Sequence, residues 1–458
     1  MRTSSWMAQR EVDRDLTLSK MTGWSIGPVF GFTLGVSLAF DNLRILYDFG
    51  GLFLASPSLP LLVYAFVRLR VPKWLTPALR KYLLACAVLG IWSLLTAGLS
   101  LIFDSYVTSD AARKSITTNL IVFTWLLVVP IGATVVRDRR GLSWIGVGLM
   151  LACVVGLFSQ IYLGYSSAGV DAVHGISWRD DRPRAFKMES SVLGCAFIAG
   201  AAMISIAIRG RLAILLAVST GFLVYASTSR GAIVAFVGAV GLGLFAYYGV
   251  RSRVAAVLWS IIFVTVVLLC SFFGRVLLDN PLWNSLKTGT TGSDAVRTGW
   301  GEIAWNSLLN GPNSLNVANY WSRIFGYIAE YYPQMRLRYS SVHLLEFANM
   351  LKTHSDSGLS PKSLPALFAV WYGWPGAILA VGLLCIASLG AIRVAQRIDS
   401  PFSLCCILAA ILSLALFSPG IFQYELALVI GFCLFAARLP GGLPWNEDHV
   451  NSATDSRA

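Results

Sequence analysis

The chain is 458 residues long, 56% hydrophobic and only 13% charged, with a formal net charge of +13 at pH 7. This composition excludes the ordinary soluble and the disordered classes and places the chain among polytopic membrane proteins. The positive balance implies no nucleic-acid partner, because it falls largely in short loops beside apolar stretches, where it would face anionic membrane lipids.

Residues 1–22 carry Arg2, Arg10, Arg14 and Lys20 ahead of an apolar stretch without a small-residue cleavage site, and read as a cytoplasmic N-terminus. Apolar runs of transmembrane length follow at 23–40, 46–67, 82–103, 117–136, 141–163, 189–208, 212–228, 231–249 and 254–273. Three more lie at 365–388, 402–418 and 421–437, followed by a tail at 438–458. The fold expected is an all-α polytopic membrane protein with about twelve spans, in two blocks (23–273 and 365–437) either side of a large polar loop, 274–364. The predicted cytoplasmic side holds 20 of the 36 Lys and Arg residues, against 8 in the short outer loops and 8 in the long one. That asymmetry gives both termini inside and the long loop outside.

In the first block, Asp41 and Arg44 are expected to cap the outer end of the first helix, and Pro57 and Pro60 to interrupt the second. All eight cysteines fall within predicted spans, so no disulfide framework is implied. The chain has no phosphate-binding glycine loop, no dinucleotide pattern, no fixed-period repeat and no zinc-ligand spacing, so neither cofactor nor metal is expected.

Three outer segments carry chemistry. Between spans five and six, four positive and three negative charges fall within 179–189. Arg179, Asp180, Asp181 and Arg182 read as a self-paired solvated turn, whereas Arg184 and Glu189 stand where the chain re-enters the membrane, and charges there are costly unless paired or used. Between spans seven and eight, Ser227-Thr-Ser-Arg-Gly-Ala places Arg230 among small residues with no acidic neighbour in sequence, a pattern that suits an anion. In the long loop, Ser293 and Asp294 open a helix expected to run to Leu309, with Val296, Trp300, Ile303, Ala304 and Leu308 as its apolar stripe and Arg297 near its start. A second amphipathic helix reads Trp321, Ile324, Phe325, Ile328 and Tyr332, and a third spans about 342–352. His354 and Asp356 follow in a polar turn just before span ten; His343, one turn into the third helix, reads as structural.

Arginines and a histidine at headgroup level suit chemistry on a lipid-linked diphosphate, because a guanidinium fork holds phosphate oxygens and a near-neutral imidazole accepts a hydroxyl proton. In Arg184-Ala-Phe-Lys-Met-Glu-Ser-Ser, Ser227-Thr-Ser-Arg-Gly-Ala, Arg297-Thr-Gly-Trp, and Thr353-His-Ser followed by Gly373-Trp-Pro-Gly, the chain resembles the O-antigen ligase and O-antigen polymerase superfamily, over roughly residues 115–435. The resemblance implies a GT-C-like membrane glycosyltransferase of the bacterial inner membrane, active at the periplasmic face without metal. It implies an undecaprenyl-diphosphate-linked glycan as donor, Arg184, Arg230 and Arg297 on the diphosphate, and His354 as acceptor-side base, with Glu189 and Asp356 as further catalytic candidates. Two departures stand out: Gly311-Pro-Asn-Ser-Leu-Asn replaces a Gly-x-Gly stretch, and Ser355 follows His354 where the family has asparagine.

Three functions stay open on these residues. A polymerase of surface polysaccharide or exopolysaccharide would extend a lipid-linked glycan, with a chain-length regulator as a partner. A ligase would transfer the same glycan to lipid A core, as in lipopolysaccharide synthesis, or to protein. A transporter of lipid-linked glycan would place its charges near the bilayer midplane and repeat its halves, whereas charge here clusters on one face. Glu189-Ser190-Ser191 is closer to the Glu-Pro-Ser of polymerases than to the Pro-Asn of ligases and favours the first.

Overall fold

A computed structural model describes residues 27–41, 56–68, 75–103, 109–132, 139–162, 185, 190–208, 210–227, 229–278, 303–309, 363–416 and 423–436. Among these, regular structure is helical throughout, with no strand. In chain order the helices are α1 (Pro28–Ala39), α2 (Leu59–Val67), α3 (Thr76–Phe103), α4 (Ser109–Val128), α5 (Arg139–Tyr162), α6 (Ser190–Ser205), α7 (Arg211–Ala226), α8 (Arg230–Gly249), α9 (Arg253–Leu278), α10 (Leu364–Ile398), α11 (Pro401–Leu416) and α12 (Tyr424–Ala436). Each of them overlaps one of the apolar runs read from sequence, although most begin or end outside the expected bounds. Among the described residues, four segments are long and apolar enough to cross a membrane: Thr76–Thr96, Arg140–Gln160, Gly231–Gly249 and Leu364–Ile398.

The arrangement is an apolar core inside an apolar coat. Helices α6, α11 and α12 are predominantly apolar around their circumference and almost wholly buried, as expected of helices enclosed by others, with Glu425 in the first turn of α12 the acidic exception. Around them α3, α7, α8 and α9 turn large apolar side chains outward; Leu94 is 76% exposed and Phe222 69%. A water-soluble protein does not expose apolar surface of this extent, and a lipid-facing one does. Hydroxyls inside these helices donate to their own backbone, as Thr220 does to Leu216 and Ser413 to Ala409.

Helix–helix contacts rest on small residues. Gly35 and Gly148 bring α1 and α5 to backbone contact, and Gly431 of α12 does the same with Gly132, just beyond α4. Opposite the Ser227–Arg230 corner, the C-terminal ends of α6, α8, α10 and α12 converge. Gln396 donates to the Tyr247 and Val250 carbonyls at 3.2 and 2.9 Å, Arg397 to that of Ala436 at 3.3 Å, and Ser403 to that of Ser205 at 2.8 Å. Asp399, left-handed at φ 51°, ends α10 and accepts from the Tyr247 hydroxyl at 2.6 Å.

Three expectations change. Asp41 does not simply cap the first helix. Its buried carboxylate accepts from the Ser56 hydroxyl, from the Ser58 hydroxyl at 2.6 Å and from the Ser58 N–H at 3.1 Å, tying the end of α1 to the start of α2. Arg44 lies outside the described residues. Within the described residues Pro57 and Pro60 stand at the start of α2 rather than inside it, Pro57 in the turn before the helix and Pro60 in its first turn, where a missing N–H costs no intrahelical bond; residues 46–55 of that expected span lie outside the described residues. The fourth segment, read as 117–136, is helical from Ser109 and turns at Val129–Pro130, because proline cannot donate to the helix and its ring crowds the preceding residue.

Candidate functional site

Ser227-Thr-Ser-Arg-Gly-Ala forms the corner between α7 and α8. The Ser227 hydroxyl donates to the Val224 carbonyl at 2.6 Å, satisfying an acceptor that the end of α7 would otherwise leave open. Ser229 is the N-cap of α8, its hydroxyl accepting the Ala232 N–H at 3.3 Å. Both serines are buried. Arg230 is therefore the first residue of a helix rather than part of a slack loop, and a helix start favours an anion nearby.

This corner packs on α6 through Gly194. A Cβ built at Gly194 would lie 2.7 Å from the Ala232 Cβ, 2.9 Å from the Ser229 Cβ and 3.0 Å from the Ser227 oxygen. Only a glycine admits that approach. Helix α6 starts at Ser190, the seventh residue of the Arg184 motif, so two motifs well separated in sequence meet here within about one helical turn.

The same end of the bundle holds Ala185, which follows Arg184. Ala185 is buried at φ 49°. Its N–H donates to the side-chain oxygen of Gln160 at 2.8 Å, and its carbonyl accepts from the Gln160 amide at 3.3 Å. Gln160 comes from the last turn of α5, which packs against α6.

From the long polar segment, 303–309 is helical, and Ile303, Ala304, Trp305, Ser307 and Leu308 are buried, so this part of the expected stripe packs into the core. Past that segment, Ser363 caps α10 by accepting the Ala366 N–H at 3.3 Å. Helix α10 is broken at Gly373, whose φ of 66° and ψ of −151° are non-helical, so Gly373-Trp-Pro-Gly divides it into a short and a long arm. Beside the break, Asn119 accepts from the Ser93 hydroxyl at 2.7 Å and the Tyr372 hydroxyl at 3.0 Å. The Trp92 indole donates to the Tyr372 carbonyl at 2.9 Å. A polar knot thus joins α3, α4 and α10 beside the break.

Of the six residues singled out from sequence, Arg230 has a described backbone position. Arg184, Glu189, Arg297, His354 and Asp356 lie outside the described residues, although Ala185 and Ser190 immediately follow two of them. Reasoning from sequence missed Gln160, Gly194 and Asn119. A signal was present for two of these, since an amide side chain inside an apolar run is costly unless it meets partners. Neither a protein-family model nor a curated protein matches the chain significantly.

Proposed function

We propose that the chain is a multi-pass inner-membrane glycosyltransferase that polymerises undecaprenyl-diphosphate-linked oligosaccharide repeat units at the periplasmic face. The observation that carries this reading is the Gly194 contact, which sets the start of α8, with Arg230, against the helix that continues the Arg184 motif. A corner that carries Arg230, packed on the helix that follows the Arg184 motif, suits a ligand with an anionic head and a long apolar tail. The lipid-facing coat agrees with such a tail, as does a helix broken at a second family-like motif. In this reading the chain crosses the membrane twelve times with both termini in the cytoplasm.

In the reaction proposed, a sugar hydroxyl of the acceptor repeat unit attacks the anomeric carbon of the donor glycan. The bond from that carbon to the phosphate oxygen breaks, and the electron pair leaves on undecaprenyl diphosphate. Arg184, Arg230 and Arg297 stabilise the charge that develops on the departing diphosphate, an effect larger in the transition state than in the ground state. His354 accepts the hydroxyl proton, with Glu189 and Asp356 as further catalytic candidates in the polar segments.

Arg230→Ala tests the reading directly. Transfer from a lipid-linked donor by the purified protein in proteoliposomes should fall on the order of a hundredfold or more with insertion unchanged. Arg230→Lys should restore little, because a point charge does not reproduce the fork. Wild-type product from a normally inserted Arg230→Ala protein would remove the diphosphate role.

A further inference from the structure

Gln160 is a buried amide at the end of an apolar helix, and both of its polar atoms go to the backbone of one residue, Ala185, 25 positions along the chain. Such an amide acts as an adjoining strand would, closing a two-bond ring on the N–H and carbonyl of its partner. Ala185 is in the left-handed region, which an alanine seldom adopts and which persists only where its surroundings hold it. An apolar side chain could fill the same volume without the cost of burying an amide. What the amide adds is a fixed conformation at the residue joined to Arg184 by one peptide bond.

We infer that Gln160 is a positioning residue, fixing through Ala185 the backbone from which Arg184 engages the diphosphate of a lipid-linked substrate. This rests on the function proposed above and assigns that site a support contributed by α5.

The test uses the full chain in lipid nanodiscs, with undecaprenyl diphosphate itself as the probe and its dissociation constant as the reading. Gln160→Met keeps the length of the side chain and removes both hydrogen bonds to Ala185; it should weaken binding about tenfold in protein that remains folded and inserted. Arg184→Ala should weaken binding at least as much, and the double variant should bind no more weakly than Arg184→Ala alone, since Gln160 acts through that arginine. Gln160→Glu keeps an acceptor for the Ala185 N–H and should lose less affinity, about threefold; it carries the comparison if Gln160→Met does not fold.

A Gln160→Met protein that is less stable yet binds within about twofold of wild type overturns the inference. So does a double variant in which the two losses multiply, because Gln160 would then act independently of Arg184. If Arg184→Ala weakens binding and neither Gln160 variant does, the inference falls and the function stands. If the wild-type protein does not bind the diphosphate lipid, both fall.

Discussion

Gly194→Ala probes the contact on which the proposed site depends. The added methyl would stand 2.7 Å from the Ala232 Cβ, 2.9 Å from the Ser229 Cβ and 3.0 Å from the Ser227 oxygen, where ordinary contact begins at 3.4 Å. The α7–α8 corner and α6 must therefore part by roughly 0.7 Å or more, since close-packed interiors leave no slack to absorb a methyl. Overpacking of this kind costs about 1–3 kcal/mol, and replacing a helical glycine by alanine returns up to about 1 kcal/mol. The net loss of stability is thus small. Function should suffer more, because a displacement near 1 Å at a catalytic constellation can cost on the order of a hundredfold in rate. The assay pairs glycan transfer in proteoliposomes with thermal unfolding of the same preparation. Gly241→Ala on α8, whose new methyl meets nothing within 4 Å, is the control and should keep wild-type transfer with an unfolding temperature no lower than wild type. Full transfer activity in Gly194→Ala at unchanged unfolding temperature would refute the claim that this approach positions the site.

Gly373→Ala should destabilise the protein by about 1–3 kcal/mol, read as a lower unfolding temperature in detergent, because its backbone region is nearly closed to residues with a Cβ; Gly382→Ala, in open space on the same helix, should not. His354→Ala should cut turnover about a hundredfold with little change in donor binding and should remove the acid limb of the rate profile, whereas His343→Ala should show at most a stability defect. Weakened donor binding at intact turnover would move His354 to the phosphate grip and leave Glu189 or Asp356 as the base. Transfer should survive EDTA, since three arginines supply the cationic charge in the proposed reaction; activity lost in EDTA and recovered with magnesium would contradict that assignment.

Helix positions were largely legible in the sequence, because burial in lipid imposes a run of apolar residues whatever the tertiary partners. The stretch read as 231–249 is α8, Arg230–Gly249, and that read as 402–418 is α11, Pro401–Leu416. Misplacements arose where hydropathy and helicity part company. Helix α10 continues past residue 388 to Ile398 through Arg393 and Arg397, since charge ends an apolar run without ending a helix. Helix α4 stops at Val128 although the sequence beyond stays apolar, because Pro130 cannot continue it.

Along the candidate site the division is sharper. The sequence alone determined that arginines, a histidine and carboxylates fall in the polar segments between apolar runs, because charge is excluded from the runs themselves. The Ser229 cap of α8, found in the structure, is by contrast a local interaction spanning four residues. Only the tertiary structure decided that Gly194 admits the Ser227–Ala232 corner, that Gln160 holds Ala185, and that Asn119 joins Ser93 to Tyr372. Each of these pairs residues on different helices, and periodicity along one helix gives no information about the rotation and depth at which another meets it. Those two quantities are set by where small residues let backbones approach and where buried amides find partners, and they exist only once the bundle has packed.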